Sequence, residues 1–225
     1  MSTLISSPVS THLAALFADA AQNDRPLREK FQALGPEEWN TLQKDHRLLY
    51  GTLAREAYLA VTPEFGRLLY LLASARKAHT VVEFGTSFGI STIYLAAALR
   101  DNGGGKLIST EYEASKAERA RKNLEAAGLL DLVEIRVGDA LETLRTGVDG
   151  PIDLVLLDGP KDLYLPVLRL LESMLVPGAL IAADNTKNIH GPMAEYLDYV
   201  REPQNGYLSV DLPIDHGNEL SLRLP

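Results

Sequence analysis

From residue 80 onward the chain alternates short apolar, β-rich runs with segments of helical periodicity, and few architectures accept that pattern. The runs are TVVEF from Thr80, KLISTE from Lys106, LVEIRV from Leu132, IDLVLLD from Ile152 and ALIAAD from Ala179. Between them lie a helical stretch ending at Arg100, another from Ala114 to Gly128, a short one after the third run, one from Leu163 to Leu175, and one from Met193 to Arg201. Uninterrupted apolar runs suit parallel strands that are buried on both faces. The expected fold class is therefore α/β, with a doubly wound, mostly parallel sheet. The tail differs. YLSVDLP, a turn at Asp215-His216-Gly217-Asn218, and ELSLRL read as a closing antiparallel hairpin.

The first part of the chain reads as helices. Ser10 or Thr11 is a candidate cap for a segment burying Leu13, Leu16 and Phe17. Pro36 and Glu37 open a second segment, with Trp39, Leu42, Leu49 and Leu53 at near-helical spacing. Thr62-Pro63-Glu64 starts a third, with proline at the first helical position and Leu68, Leu69 and Leu72 as its buried face. A length of 225 residues fits one domain spanning 1–225, with a helical lead-in over 1–60 and an α/β core over 61–225. A net charge of -8 argues against a general nucleic-acid binder. The chain has no cysteine, which removes thiol chemistry and cysteine-ligated zinc. The N-terminus lacks the pattern of a secretory signal and the apolar stretches are too short to span a bilayer, so a cytoplasmic location is expected.

In open parallel sheets ligands bind beyond the carboxyl ends of the strands. The first strand runs into Glu83-Phe84-Gly85-Thr86-Ser87-Phe88-Gly89-Ile90-Ser91-Thr92. Gly85 and Gly89 let backbone approach a ligand, but the spacing is not the G-x-G-x-x-G of dinucleotide binders. A bare strand-to-helix turn is the other reading. Glu111 ends the second strand, where a carboxylate can accept from both hydroxyls of a ribose; an exposed glutamate is the alternative. Gly138-Asp139-Ala140 follows the third strand and can either read an adenine edge or, through Asp139, cap a helix.

VVEFGTSFGIST, an acid ending the next strand, and then GDA together resemble the S-adenosylmethionine site of class I methyltransferases, which have a Rossmann-like sheet. The resemblance covers most of the chain after Val61. It implies that Glu83, Gly85 and Ser91, with the backbone near Val61, surround the amino-acid tail. It also implies that Glu111 holds the ribose and that Asp139 and Ala140 frame the adenine.

The fourth and fifth strands end in IDLVLLDGPKDLY and ALIAADNTKNIHGP. Adjacent parallel strands would bring Asp158, Asp184 and Asn185 to one sheet edge. Three hard oxygen ligands suit Mg²⁺ or a similar ion with positions left open, although each residue singly reads as a strand end or cap. Asp158, Lys161, Asp184 and Asn185 resemble the pattern of the metal-dependent O-methyltransferases that include the catechol and caffeoyl-CoA enzymes. Thr62-Pro63-Glu64-Phe65-Gly66 is similar to the helix start before their cofactor loop. The resemblance implies methyl transfer from S-adenosylmethionine to a hydroxyl of a small, catechol-like vicinal diol, with Lys161 as the proton acceptor. It also implies a possible homodimer with N-terminal helices at the interface, and no nucleic-acid or membrane partner.

Two departures bear on the acceptor. The mammalian catechol enzyme has a His-Trp pair where this chain has Gly159-Pro160. Its late substrate-binding glutamate is matched only by the region Ser209-Val210-Asp211, which leaves the role of Asp211 open. His190 lies just beyond the metal pair, in a loop that often touches substrate in this family. His12, His46, His79 and His216 show no metal spacing, and Tyr50, Tyr58 and Tyr164 read equally as acceptor wall or core. Two other functions stay open: a nucleotide-dependent oxidoreductase, which Glu111 suits and the glycine spacing does not, and a non-catalytic binding protein of the same fold.

Overall fold

The computed structural model describes residues 2–187 and 192–225. Seven strands form one sheet in the order β3-β2-β1-β4-β5-β7-β6. They are β1 (Thr80–Phe84), β2 (Lys106–Glu111), β3 (Val133–Val137), β4 (Ile152–Leu157), β5 (Leu175–Asp184), β6 (Tyr207–Leu212) and β7 (Asn218–Arg223). The first five run parallel, and β7 enters antiparallel between β5 and β6. The α/β class, the parallel core and the closing hairpin are thus as the sequence implies.

Alternate residues of β1, β2, β4 and β5 face opposite sides of the sheet, and both sides are largely buried, whereas β3 at the edge buries only Ile135. Val81, Leu107, Leu154 and Ala182 join one core with helices α5 (Pro63–Arg76), α6 (Ile90–Asp101) and α7 (Ala114–Ala126). Val82, Ile108, Val155 and Ile181 join the other, beneath α8 (Ala140–Thr143), α9 (Tyr164–Leu171) and α10 (Pro192–Arg201). Burial on both faces is why the strands read as unbroken apolar runs rather than as alternation.

Helix α1 (Val9–Asn23) buries Leu13 and Leu16 against the first core and is followed by α2 (Arg25–Gln32) and α3 (Pro36–Lys44). The single helix expected onward to Leu53 is broken. Asp45 accepts from the Leu48 N–H at 2.9 Å and restarts the chain as a turn, α4 (His46–Leu48), followed by a π-helical segment, Leu49–Leu53. The helix expected over Leu163–Leu175 ends at Leu171, because Leu175 already pairs with Ile152 in the sheet. Strand β5 accordingly starts before the ALIAAD run, crossing Pro177-Gly178 with a shift of register. Among the described residues no helix is long and apolar enough to cross a membrane.

The strand order reverses at β1, whose neighbours are β2 on one side and β4 on the other. In such sheets that reversal opens a crevice above the carboxyl ends. All the candidate residues from Glu83 to Asn185 sit on strand ends bordering it or next to it.

Candidate active site

On the β1–β2 side, the loop after β1 carries two backbone features that favour a built site over a bare turn. Gly85 has φ +108°, and a Cβ there would overlap the carbonyl of Asp158, so only glycine lets the β1 and β4 loops meet. Ser87 has φ +46°, a strained value for a residue with a side chain. Its hydroxyl donates to the Tyr58 carbonyl at 2.6 Å, and its N–H donates to Glu111 Oε2 at 2.8 Å. Lys116, buried, donates to Ser87 Oγ at 3.2 Å and to the Ala57 carbonyl at 2.9 Å. The segment before α5 is thereby tied to the loop after β1.

Glu111 is buried at the end of β2 and takes one backbone N–H on each oxygen, from Ser87 and, at 2.9 Å, from Glu113. A carboxylate has about four acceptor sites, so each oxygen keeps capacity for a ligand hydroxyl. Burial pushes its pKa up, against the Glu113 N–H, the Lys116 ammonium and the Ser87 N–H. Next to it, the Gly138 N–H donates to the Glu111 carbonyl at 2.9 Å, bringing the third strand's end alongside. Asp139 caps α8 by accepting from the Leu141 N–H at 2.8 Å, and Ala140 is buried behind it. Val61 is buried directly before Thr62, whose hydroxyl accepts from the Phe65 N–H at 3.3 Å at the head of α5.

Glu83 occupies a different place from its neighbours. It has no exposed surface, and its carboxylate accepts from the hydroxyls of Ser91 at 2.6 Å, Thr92 at 2.6 Å and Ser109 at 2.5 Å. Glu83 and Ser91 therefore form a bracket under the loop, joining β1, β2 and the first turn of α6.

On the β4–β5 side, Asp158, Asp184 and Lys161 come together as their spacing implies. Lys161 Nζ lies 4.0 Å from Asp158 Oδ1 and donates to the Asp184 carbonyl at 3.3 Å and the Tyr164 hydroxyl at 2.5 Å. The Tyr164 hydroxyl in turn donates to the Asp184 carbonyl at 3.0 Å. Burial raises the Asp158 pKa well above its ordinary value, with the Asp184 charge adding to it and Lys161 opposing. Asp184 is also raised by burial, against Lys161, the Asn185 N–H and Asn218. Burial lowers the Lys161 pKa, against the two aspartates. Asn185 follows with φ +57°. A half-buried acid and a buried one that repel each other, with a single lysine beside them, form a site short of positive charge. The donor set is all oxygen, and among the described residues no histidine or third acid joins the pair. Two carboxylates and one amide oxygen fit a hard divalent cation that keeps open positions.

Some residues were not legible as site members. His46 Nε2 lies 3.0 Å from Asp162 Oδ1, beside Lys161, and burial together with Asp158 and Asp162 raises the pKa of Tyr50. The broken helix over 46–53 thus faces the catalytic candidates, and a π-helical turn is the usual mark of such a place. Asn218 donates to Asp184 Oδ1 at 2.5 Å from the closing hairpin. Asp211 is exposed on β6, within electrostatic reach of Arg201. His190 lies outside the described residues.

Comparison with known proteins follows the same lines. A family model described as a methyltransferase domain matches residues 82–186. Over 140 residues the chain is 40% identical to the catechol O-methyltransferase of Mycobacterium tuberculosis, covering 62% of this chain and 63% of that one. The match thus spans just under two thirds of the curated relative's length. Cofactor-bound Rv0187 from MTB is 30% identical with a TM-score of 0.69, over 80% of this chain and 89% of the other. The O-methyltransferase TomG from Streptomyces achromogenes, involved in tomaymycin synthesis and crystallised with SAM, is 27% identical with a TM-score of 0.68, over 85% and 92%.

The Glu83 bracket makes a prediction of its own. Burial pushes its carboxyl up from 4.5 to about 7, against the three hydroxyls that hold it. Glu83 then binds its proton more tightly in the folded than in the unfolded chain. Its contribution to stability is complete below pH 4.5 and is lost as pH rises through about 7. Glu83→Gln removes that titration. Urea unfolding across this window should show the stability advantage of wild type over the variant shrinking, at no more than ~1.4 kcal/mol per pH unit. Parallel profiles for the two proteins would show that Glu83 is not held this way.

Proposed function

We propose that this chain, which belongs to the S-adenosylmethionine-dependent O-methyltransferases of the catechol and caffeoyl-CoA type, transfers a methyl group from S-adenosylmethionine to a hydroxyl of a small aromatic vicinal diol with the help of a divalent metal ion. The observation that carries this reading is the pair of carboxylates Asp158, half-buried, and Asp184, buried, with Lys161 against them, one strand from the loop that Glu111 anchors.

The cofactor's ribose is assigned to Glu111, whose two oxygens each retain an acceptor direction. Gly85, with the backbone near Val61, borders its amino-acid tail. Glu83 and Ser91 act from beneath by fixing the loop. Asp139 and Ala140 frame the adenine beside Glu111; the cap that Asp139 makes occupies one of its oxygens only. Asp158, Asp184 and Asn185 would hold the ion, and their oxygen donors match the preference of Mg²⁺. The ion's contribution when bound is to favour the ionised form of an acceptor hydroxyl and to hold two adjacent oxygens at once.

The rest falls to the chain. Methyl transfer from a sulfonium is an in-line displacement, so positioning supplies much of the catalysis. A phenol has a pKa of ~10 and must lose its proton near neutral pH. Lys161 is placed to take it: burial disfavours its charged form, and Tyr164 and the Asp184 carbonyl fix its amine. Gly159-Pro160 offers no aromatic side chain to stack on the adenine, so the remaining frame is assigned to the β2 and β3 ends.

Separate measurements test the two halves of the site. Glu111→Ala should weaken S-adenosylmethionine binding by about 1–3 kcal/mol in calorimetry, as for a lost charged hydrogen-bond partner. Unchanged affinity in folded protein would remove Glu111 from the site. For the metal half, chelation should abolish turnover and Mg²⁺ or Mn²⁺ restore it, with vicinal diphenols methylated far faster than matched monophenols. Lys161→Ala should lower kcat by roughly 10²–10⁴ with cofactor affinity retained. Full activity after chelation, or normal turnover by the Lys161 variant across the pH range, would contradict this half.

A further inference from the structure

We infer that Asn218 is a positioning residue for Asp184, holding one carboxylate oxygen so that the other is presented to the cation; this rests on the metal reading above. Asn218 opens β7 and stands opposite Asp184 in the β5–β7 register. It is almost fully buried, and its Nδ2 donates to Asp184 Oδ1 at 2.5 Å. The orientation of the amide is set by chemistry. An ionised carboxylate only accepts, so turning the amide over would oppose two acceptors.

Asp184 Oδ1 also receives the Asn185 N–H at 2.8 Å. Both donors converge on one oxygen, and among the described residues none goes to Oδ2. One oxygen is therefore engaged and the other is left with its full donor capacity for a metal. That arrangement favours single-oxygen ligation, which suits a small octahedral cation such as Mg²⁺ or Mn²⁺. Ca²⁺ accepts carboxylates through one oxygen or two. Ligating carboxylates are commonly fixed by an outer hydrogen bond of this kind, whose loss typically weakens metal binding. The far end of the amide supports the assignment. Asn218 Oδ1 is buried with no partner among the described residues, a penalty that a purely structural amide at this position would have no reason to carry.

The two roles separate in one experiment: titration of Mn²⁺ and of Ca²⁺ into the S-adenosylhomocysteine-saturated protein, followed by calorimetry, for wild type, Asn218→Ala and Asn218→Ser. The serine hydroxyl is too short to span to Asp184 but keeps the buried position polar, so it decides the matter if the alanine variant fails to fold. Positioning predicts that Mn²⁺ binding weakens about 10–100-fold. It also predicts that Ca²⁺ binding weakens less, so that the preference for Mn²⁺ narrows, while S-adenosylhomocysteine affinity stays at the wild-type value. Unchanged Mn²⁺ affinity, or equal weakening of both cations alongside a lowered melting temperature, would overturn the inference and leave the metal site standing. A wild-type protein that binds no Mn²⁺ would overturn the metal reading and this inference with it.

Discussion

The site depends on one close approach between backbones. Gly85 at the end of β1 lies against the carbonyl of Asp158 at the end of β4, with no room for a Cβ between them. The Asp158 N–H also donates to the Phe84 carbonyl at 2.8 Å, so the two strands stay paired up to the point where their loops diverge. This contact lies where the strand order reverses. It joins the half of the site assigned to the cofactor to the half assigned to the metal, and fixes their separation without any side chain mediating it. A methyl donor and an oxygen acceptor need that fixed relation, because an in-line displacement tolerates little error in placement.

Charge is distributed unevenly across the two halves. Glu111 is buried but answered by two backbone N–H groups and by the nearby Lys116. Glu83 is answered by three hydroxyls. Asp158 and Asp184 share one lysine, and the Asp184 charge raises the proton affinity of Asp158 beyond what burial alone does. Glu111 and Glu83 are thus answered by donors on both carboxylate oxygens, whereas donors reach only Oδ1 of Asp184, and Asp158 has Lys161 at 4.0 Å. An unbalanced pair of half-buried and buried acids costs stability, and a divalent cation is the simplest group that restores the balance.

Much of this was legible before the structure, and the reason is geometric. Parallel strands buried on both faces announce themselves as unbroken apolar runs, so Glu111, Asp158 and Asp184 could be placed at strand ends from their position after TVVEF-like segments. Lys161 followed from the resemblance of the Asp158–Lys161 pattern to that of the metal-dependent O-methyltransferases. What was hidden depends on contacts between distant segments. Asn218 reaches Asp184 only because β7 inserts antiparallel beside β5, and nothing in ELSLRL signals that neighbour. The break at Asp45 was missed because Leu49 and Leu53 kept a helical spacing across it, though an aspartate three residues before Leu48 is a cap signal. The resemblance implies that Glu83 helps to surround the cofactor's amino-acid tail, whereas its three hydroxyl partners make it a bracket under the loop. Its residue type and position allow either role, and only its complete burial distinguishes them.

The most direct test of the account is whether the two unbalanced carboxylates bind a cation. A crystal of the protein grown with S-adenosylhomocysteine and Mn²⁺, with diffraction recorded at the manganese absorption edge, answers it. The account predicts a single anomalous peak per chain, bounded by Asp158, Asp184 and Asn185, with the nucleoside's ribose at Glu111. Density for the nucleoside at Glu111 with no manganese peak between the two aspartates would contradict it.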